Sequence, residues 1–322
     1  MSDDVPRHWL GVCGWPVRHS RSPEMQNAAL QAVGLRDWRY MRLPARRGGA
    51  RMTATTWLGV AGWPVAHSRS PDIQHAALRA AGLADWRYVR LPLPPHLFAE
   101  TVRALPARGF RGINVTIPHK EAALALADRA SDLASAIGAA NTLTFAPDGT
   151  IHADNTDAPG LIDALPAHHA PEGRRALVLG AGGSARAVVQ ALVAGGARVA
   201  LWNRTPARAI ELAERLGAEV ADGPVEADIV VNCTSVGLDG DPESFKALPV
   251  DADHVGTGSC VVDLVYRDGG TPLLAAARAW GADTVDGREI LVAQGAASFV
   301  RWTGLPAPRA EMRRILDMTV DP

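Results

Sequence analysis

Short apolar runs alternate along this chain with turns and with stretches whose apolar residues recur at helical spacing. The stretch from Trp57 shows the pattern. "WLGVAGWPV" is a strand-like run, "HSRSP" a turn, "DIQHAALRAAGL" an amphipathic helix stopped at Gly82, and "WRYVRLP" the next strand. Ser70 is the expected N-cap of that helix, with Pro71 at the first helical position and Asp72 beside the positive end of the dipole. The same unit stands once before it. Trp9 to Pro44 aligns with Trp57 to Pro92 without gaps, at an offset of 48 and with roughly three-quarters of positions identical. This is one duplication and not a solenoid, because stacked arrays need about three or more repeats. The intervening "ARRGGARMTATT" reads as a linker.

Beyond Pro92 the alternation continues. A helix is expected in "PHLFAETVRALPARG", a strand at "GINVTIP", a helix at "KEAALALADRAS", then "AANTLTF" and "IHADNTDAPG". "RRALVLGAGGSARAVVQALVAGGARVALWNR" follows as a compact strand, glycine loop, helix and strand. Such alternation predicts an α/β protein with a mainly parallel sheet in each domain, and ligands at the carboxyl ends of the strands.

Composition narrows the partners. The 322 residues are 47% apolar, enough for two domains, and carry a formal net charge of -1. That balance gives no electrostatic footprint for nucleic acid or an anionic membrane, so small molecules are the expected partners. The longest apolar stretches, such as Ala176 to Leu179 or Cys260 to Val265, are strand-sized and short of the roughly 20 residues of a bilayer span. The start, "MSDDVPRHWL", has no basic region followed by an apolar one, and a cytoplasmic location is expected. Cys13, Cys233 and Cys260 lie far apart without zinc-site spacing; they are expected to be small buried residues, and no metal site is expected.

One count changes the picture. Lys and Arg total 33, yet only Lys120 and Lys246 are lysines. Guanidinium stays protonated, whereas an ammonium can exchange its proton, so a surviving Lys invites a chemical explanation. Lys246 sits in the polar stretch "DGDPESFKALP" and reads as a surface charge. Lys120 stands at an expected helix start just after Asn114 and Thr116, which two-residue spacing puts on one face of a strand. "GAANTLTF" adds Asn141, and "ADNTDAPG" adds Asn155 and Asp157. Amide, hydroxyl, ammonium and carboxylate together suit a small polyhydroxylated substrate. Each alone also has an ordinary role: Asn and Thr cap turns, and Asp157 is placed to cap the helix after Pro159.

Gly180, Ala181, Gly182, Gly183 and Ser184 link the apolar strand to the helix, so backbone N–H groups and the helix dipole can meet a pyrophosphate. The next strand ends in Asn203, Arg204 and Thr205, with Arg208 a turn on, where a cofactor with a free 2′-hydroxyl usually meets an acid. Arginine suits a 2′-phosphate, which favours NADP over NAD; a solvated arginine pair would leave that choice open.

These stretches together resemble the shikimate dehydrogenase family: "GWPVAHSRSP", "GINVTIPHK", "GAANTL", "DNTD", "GAGGSAR", "NRTPAR", "NCTSVG", "VDLVYRDGGTPLL" and "ILVAQGAASF", in order from Trp57 to the C-terminus. The resemblance implies NADPH-dependent, reversible reduction of 3-dehydroshikimate to shikimate on the route to aromatic amino acids. It assigns the substrate carboxylate to Ser68 and Ser70 with help from Tyr266, and the ring hydroxyls to Asn114, Thr116, Asn141, Asp157 and Gln294. Lys120, paired with Asp157, would stand at the reacting oxygen. Thr234 and Ser235 of "NCTSVG" would join the cofactor site. Arg288 and Glu289 depart from the family pattern just before "ILVAQ", in a segment expected near the nicotinamide.

The order of motifs predicts a substrate-binding α/β domain and a Rossmann-type NADP-binding domain with the active site in the cleft between them, closing on the substrate. The expected boundaries are 1–56 for the extra copy and linker, 57–156 for the catalytic domain, 157–286 for the NADP-binding domain, and 287–322 for C-terminal helices returning to the catalytic domain. Both copies keep a serine pair, Ser20 and Ser22 or Ser68 and Ser70. The second copy runs directly into the segment carrying Lys120, and the shorter connection should take the single slot in the sheet. For the first copy an added edge strand, loose attachment and exchange between subunits all stay open, as do monomer and dimer and a start at Met52. Two rival functions also stay open: a quinate or aminoshikimate dehydrogenase of the same family, and a non-catalytic ligand sensor, which the presence of Lys120 and Asp157 argues against.

Overall fold

The computed structural model describes residues 8–14, 21–32, 38–44 and 55–318. Two compact units divide the chain, 1–53 and 54–322. In the first, strand β1 (His8–Gly14), helix α1 (Ser22–Ala32) and strand β2 (Trp38–Pro44) form a parallel βαβ unit whose register runs from His8 opposite Trp38 to Gly14 opposite Pro44. Asn27 ties its helix to β2, accepting from the Tyr40 N–H at 2.7 Å and donating to its carbonyl at 2.8 Å. Ser20 and the Gly48–Gly49 linker pair lie outside the described residues.

The second unit holds two six-stranded sheets. The first is built from β3 (Thr56–Gly62), α2 (Ser70–Ala80), β4 (Trp86–Pro92), α3 (Pro95–Ala104), β5 (Phe110–Val115), α4 (Lys120–Leu126), β6 (Arg129–Ala130), α5 (Asp132–Ile137), β7 (Thr142–Phe145) and β8 (Ile151–Asp154), in the order β4-β3-β5-β7-β8-β6. Strands β3 and β4 pair parallel from Thr56 opposite Trp86 to Gly62 opposite Pro92, the register of β1 and β2 displaced by the repeat offset. The helix expected through Ser131 ends at Leu126, and Arg129 and Ala130 instead pair with β8.

This sheet is mixed, less parallel than the alternation suggested. β7 runs antiparallel to both β5 and β8. The pairing with β8 has a local cause: "PDG" closes a short turn in which the Ala146 N–H donates to the Thr150 carbonyl at 2.9 Å and Gly149 takes φ +89. A connection that short can join only antiparallel neighbours. The core lies on both faces of the sheet. Leu58, Ile73, Leu78 and Tyr88 meet Phe299 and Trp302 on one side, and Phe98, Val102, Ile113 and Leu143 pack on the other.

The second sheet comprises α6 (Asp157–Ala164), β9 (Arg175–Leu179), α7 (Gly183–Ala194), β10 (Arg198–Trp202), α8 (Pro206–Leu216), β11 (Glu219–Val220), β12 (Ile229–Asn232), β13 (Cys260–Asp263), α9 (Pro272–Ala279) and β14 (Asp283–Asp286). Its order is β11-β10-β9-β12-β13-β14, parallel at every pairing. The chain builds outward from β9 on one side and then from β12 on the other, so the switch point, where ligands gather in such sheets, falls between these two strands.

Two helices finish the chain, α10 (Gly287–Thr303) and α11 (Arg309–Asp317). α10 is buried on most of its circumference because it packs against elements of both sheets. Gln74 Nε2 donates to the Gly295 carbonyl at 2.9 Å, and Trp302 Nε1 donates to the Leu143 carbonyl at 3.1 Å. Gly160 of α6 admits α10 closely, since a Cβ there would lie 3.0 Å from the Gln294 backbone. No helix among the described residues is long and apolar enough to cross a membrane.

Candidate active site

Lys120 is the first residue of α4, and its ammonium is buried. Nζ donates to Asp157 Oδ2 at 2.7 Å and to Ser184 Oγ at 2.8 Å. The preceding His119 occupies the N-cap position of α4 without a side-chain cap bond. Its ring is 2% exposed, bonds the Leu93 carbonyl through Nε2 at 2.7 Å and stacks on Phe98 at 4.3 Å, so it is an anchor. Burial lowers its pKa.

Asp157 opens α6, and the capping role goes to Asn155, whose Oδ1 accepts from the N–H groups of Asp157 at 3.0 Å and Ala158 at 3.2 Å. The other Asp157 oxygen accepts from Asn141 Nδ2 at 2.7 Å, and Asn141 Oδ1 accepts from the Thr156 N–H at 2.7 Å. Lys120, Asp157 and Asn141 thus form a chain of charge-assisted bonds whose members come from α4, α6 and the loop before β7. Such pre-set donors aim charge at a reacting oxygen without reorganising when it develops.

Ser68 and Ser70 are nearly buried beside this chain. The structure moves the helix start by one residue: α2 begins at Ser70, Arg69 occupies the N-cap position, and Ser68 Oγ accepts from the Ser70 N–H at 3.3 Å. Ser70 is therefore not the cap. The Arg90 guanidinium fixes the turn through two bonds to the Ser68 carbonyl, at 3.0 and 2.6 Å, and Tyr266 Oη accepts from the Arg69 N–H at 3.4 Å. Burial raises the pKa of Tyr266.

Asn114 lines the same space with its amide held from behind. Oδ1 accepts from Tyr88 Oη at 2.8 Å, and Nδ2 donates to Ser298 Oγ at 2.9 Å and to Thr142 Oγ1 at 3.2 Å. Tyr88, Thr142 and Ser298 escaped the sequence reading, because their partners lie 26, 28 and 184 residues from one another along the pairs they form with Asn114. Thr116 flanks Asn114, its Cγ2 packed where a Cβ on Gly62 would come within 2.4 Å. Gln294 approaches from α10 with Nε2 bonded to the Leu291 carbonyl at 2.8 Å.

The glycine loop forms the opposite wall. Gly180 takes φ +105, a conformation that favours glycine, and a Cβ there would lie 3.2 Å from Thr234 Cγ2. Gly182 is the extended N-cap residue of α7. Gly183 has a separate role, since a Cβ would sit 3.2 Å from Lys120 Cβ and Cδ; its absence lets the N-terminus of α7 come up against the lysine. Asn203 Nδ2 bonds the Thr205 carbonyl at 2.9 Å, and Arg204, Thr205 and Arg208 are exposed at the start of α8. Among the described residues neither arginine has a carboxylate partner.

Thr234 and Ser235 are placed by a buried network. Thr234 Oγ1 donates to Asn232 Oδ1 at 2.7 Å, Asn232 Nδ2 donates to Asp263 Oδ1 at 2.8 Å, and Asp263 also accepts from Thr271 Oγ1 at 2.7 Å and from the Val265 N–H at 3.0 Å. One carboxyl thereby holds the Thr234 loop and the segment leading to Tyr266, and burial pushes its pKa up to about 6. Cys233 and Cys260 are free thiols whose pKa values burial raises.

One cavity of about 780 Å³ joins these parts. It is bounded by Ser68, Ser70, Asn114, Thr116, Lys120, Asn141, Asp157, Tyr266 and Gln294 on one side, and by the glycine loop, Asn203, Arg204, Arg208, Thr234 and Ser235 on the other. Gly183 and Thr205 are the sequence candidates that stand behind its wall. The chemistry fits a dinucleotide with an extra phosphate: a helix N-terminus behind a positive-φ glycine, and two exposed guanidinium groups between β10 and the first turn of α8. The departure at Arg288 and Glu289 points away from this space. Arg288 bonds Asp268 at 2.8 Å and Glu289 pairs with Arg313 at 2.6 Å, while Gly287, Ile290 and Leu291 line the cavity.

Comparison with known proteins gives the same outline. Three family models match: the shikimate dehydrogenase substrate binding domain over residues 60–143, shikimate / quinate 5-dehydrogenase over residues 165–236, and the shikimate 5'-dehydrogenase C-terminal domain over residues 287–316. Shikimate dehydrogenase (NADP(+)) of Paracoccus denitrificans is 46% identical over 314 residues, covering 93% of each chain. The crystal structure of shikimate 5-dehydrogenase from Thermus thermophilus in complex with NADP(H) and shikimate is 41% identical, with a TM-score of 0.73 over 81% of this chain and 98% of that one. The ligand-free 5-ketofructose reductase of a Gluconobacter strain is 30% identical, with a TM-score of 0.74 over 82% and 99%. With this identity sustained over nearly the full length of its relatives, the chain belongs to the shikimate dehydrogenase family.

Proposed function

We propose that this chain catalyses the reversible, NADPH-dependent reduction of 3-dehydroshikimate to shikimate, and that residues 54–322 carry the activity. The observation that supports this most is the Lys120–Asp157 pair at the meeting point of an anion turn and a dinucleotide loop. NADPH, when bound, supplies the hydride. The chain's residues supply the rest. Ser68 and Ser70 take the ring carboxylate, aided by the dipole of α2 and by Tyr266. Asn114, Thr116, Asn141 and Gln294 take the hydroxyls, and Asp157 orients the ammonium. Lys120 faces the carbonyl oxygen, gives it a proton as negative charge develops, and recovers that proton in the reverse direction.

Arg204 and Arg208 hold the 2′-phosphate, Gly180 to Ser184 the pyrophosphate, and Thr234 and Ser235 the neighbouring wall. Ser184 serves two groups, since its hydroxyl also accepts from Lys120. Residues 9–44 are the first copy of the strand-helix-strand unit that recurs at 57–92, matched in sequence offset and strand register. The working copy is the second, because β3 lies between β4 and β5 in the sheet that carries Lys120, and because the substrate-domain match begins at residue 60.

Two experiments test this reading. Steady-state rates with shikimate and quinate, each with NADP and NAD, should give the highest kcat/KM for shikimate with NADP; a preference for quinate would reassign the substrate. A chain beginning at Met52 should fold and turn over like the full chain, and loss of activity on that truncation would place the first copy in the active enzyme.

A further inference from the structure

We propose that His168, His169 and Asp283 form a site for a divalent transition-metal ion of the zinc type, remote from the catalytic cavity. The two histidines occupy the helical turn Ala167–His169 in the connection from α6 to β9, and Asp283 is the first residue of β14. Both Nε2 atoms converge on one atom, Asp283 Oδ2, at 2.9 Å from His168 and 2.8 Å from His169. The three ligand atoms lie within 4.8 Å of one another.

The chemistry selects the class of ion. Two imidazole nitrogens and one carboxylate oxygen suit zinc, cobalt, nickel or copper, whereas magnesium and calcium prefer oxygen throughout. A tetrahedral ion with bonds of about 2.0–2.1 Å holds its ligand atoms roughly 3.3 Å apart, so the cluster must open by a few tenths of an ångström. It can do so on one side only. His169 is 2% exposed and fixed, while the His168 and Asp283 side chains are 69% and 57% exposed. The same exposure admits the ion and leaves room for water to complete its coordination.

Two features cap the affinity. His169 Nδ1 is buried without a hydrogen-bond partner, whereas metal-bound imidazoles usually donate from the second nitrogen, and loss of that bond costs about 10–100-fold. The Arg174 guanidinium, bonded to the His168 carbonyl at 2.8 Å, adds a nearby positive charge. Binding in the micromolar range is therefore expected. The bound ion would join the segment leaving the first sheet through α6 to the strand that leads back through α10, fastening the two crossings at the end of the second sheet opposite the glycine loop.

The test uses the full chain, stripped with chelator and titrated with zinc by calorimetry and with cobalt by visible absorption. One equivalent of zinc should bind, at least tenfold more weakly to His168→Ala and to Asp283→Ala, and zinc at about 100-fold the parent Kd should raise the melting temperature by on the order of 5 °C in the parent chain and by no more than about half of that in the variants. Activity without metal should match the parent in both variants, since none of the three residues lines the cavity. If Asp283→Ala melts early without zinc, His168→Gln, which removes one ligand from an exposed ring, carries the comparison. No binding below millimolar zinc, or equal binding by parent and variants, overturns the proposal.

Discussion

Tyr88→Phe separates the wall of the site from its contents. The phenol is 1% exposed and its hydroxyl donates to Asn114 Oδ1 at 2.8 Å, with the Ser70 hydroxyl beside it. Burial keeps the Tyr88 pKa well above its ordinary value, so it is a constant donor through the working pH range. Phenylalanine preserves the ring and its packing near Trp302 at 6.2 Å, so no cavity is opened. What is lost is one buried bond, which leaves the Asn114 oxygen unpaired at a cost of about 1–3 kcal/mol. For a chain of this size that is a fall in melting temperature of roughly 5 °C. Asn114 and Ser70 would both loosen, and both face substrate in the proposed arrangement. The KM for shikimate should therefore rise about tenfold, the equivalent of 1.4 kcal/mol, with the KM for NADP unchanged. Thermal denaturation and steady-state kinetics measure the two effects together. A stability loss with an unchanged shikimate KM would show that Tyr88 only packs, and an equal rise in both KM values would refute the selective positioning argued here.

Arg204→Ala with Arg208→Ala should raise the KM for NADP at least tenfold while leaving that for NAD within twofold, and should change stability by no more than about 0.5 kcal/mol because both side chains are exposed. Asp263 gives a pH signature. Its carboxyl titrates at about 6 when folded against an ordinary 3.8, so between these values the native state holds more protons than the unfolded chain. Stability should then fall as pH rises from about 4 to 6, by at most about 3 kcal/mol, and level off above. Urea denaturation across that range should show the slope in the parent chain and lose it in Asp263→Asn; a difference between the two that does not vary with pH would contradict the assignment.

Much of this site was legible before any coordinates. The scarcity of lysine, a whole-chain count, singles out Lys120, and glycine spacing between an apolar strand and a helix, a local signal, locates the dinucleotide loop; neither depends on distant pairing. The parts that were not legible depend on distant pairings. Tyr88 and Ser298 look like ordinary strand and helix residues, and only the packing of α10 against the first sheet brings Ser298 to Asn114. Asp263 reads as one more residue in an apolar run until the pairing of β12 with β13 sets it opposite Asn232. The antiparallel pairing of β7 with β8 is a different case: its turn signal, "PDG", is local, while the βα alternation on either side points to parallel strands. The start of α2 falls at Ser70 itself, with Arg69 in the N-cap position and the Ser68 hydroxyl accepting from the Ser70 N–H.

The most direct measurement is single-turnover hydride transfer by Lys120→Met, alongside the Kd of shikimate and a melting curve confirming that the variant is folded. An ammonium that serves the reacting oxygen predicts a rate about 10²–10⁴-fold lower with shikimate affinity within a few-fold of the parent. A folded variant that transfers hydride at near-parental rate would contradict the central role given to Lys120.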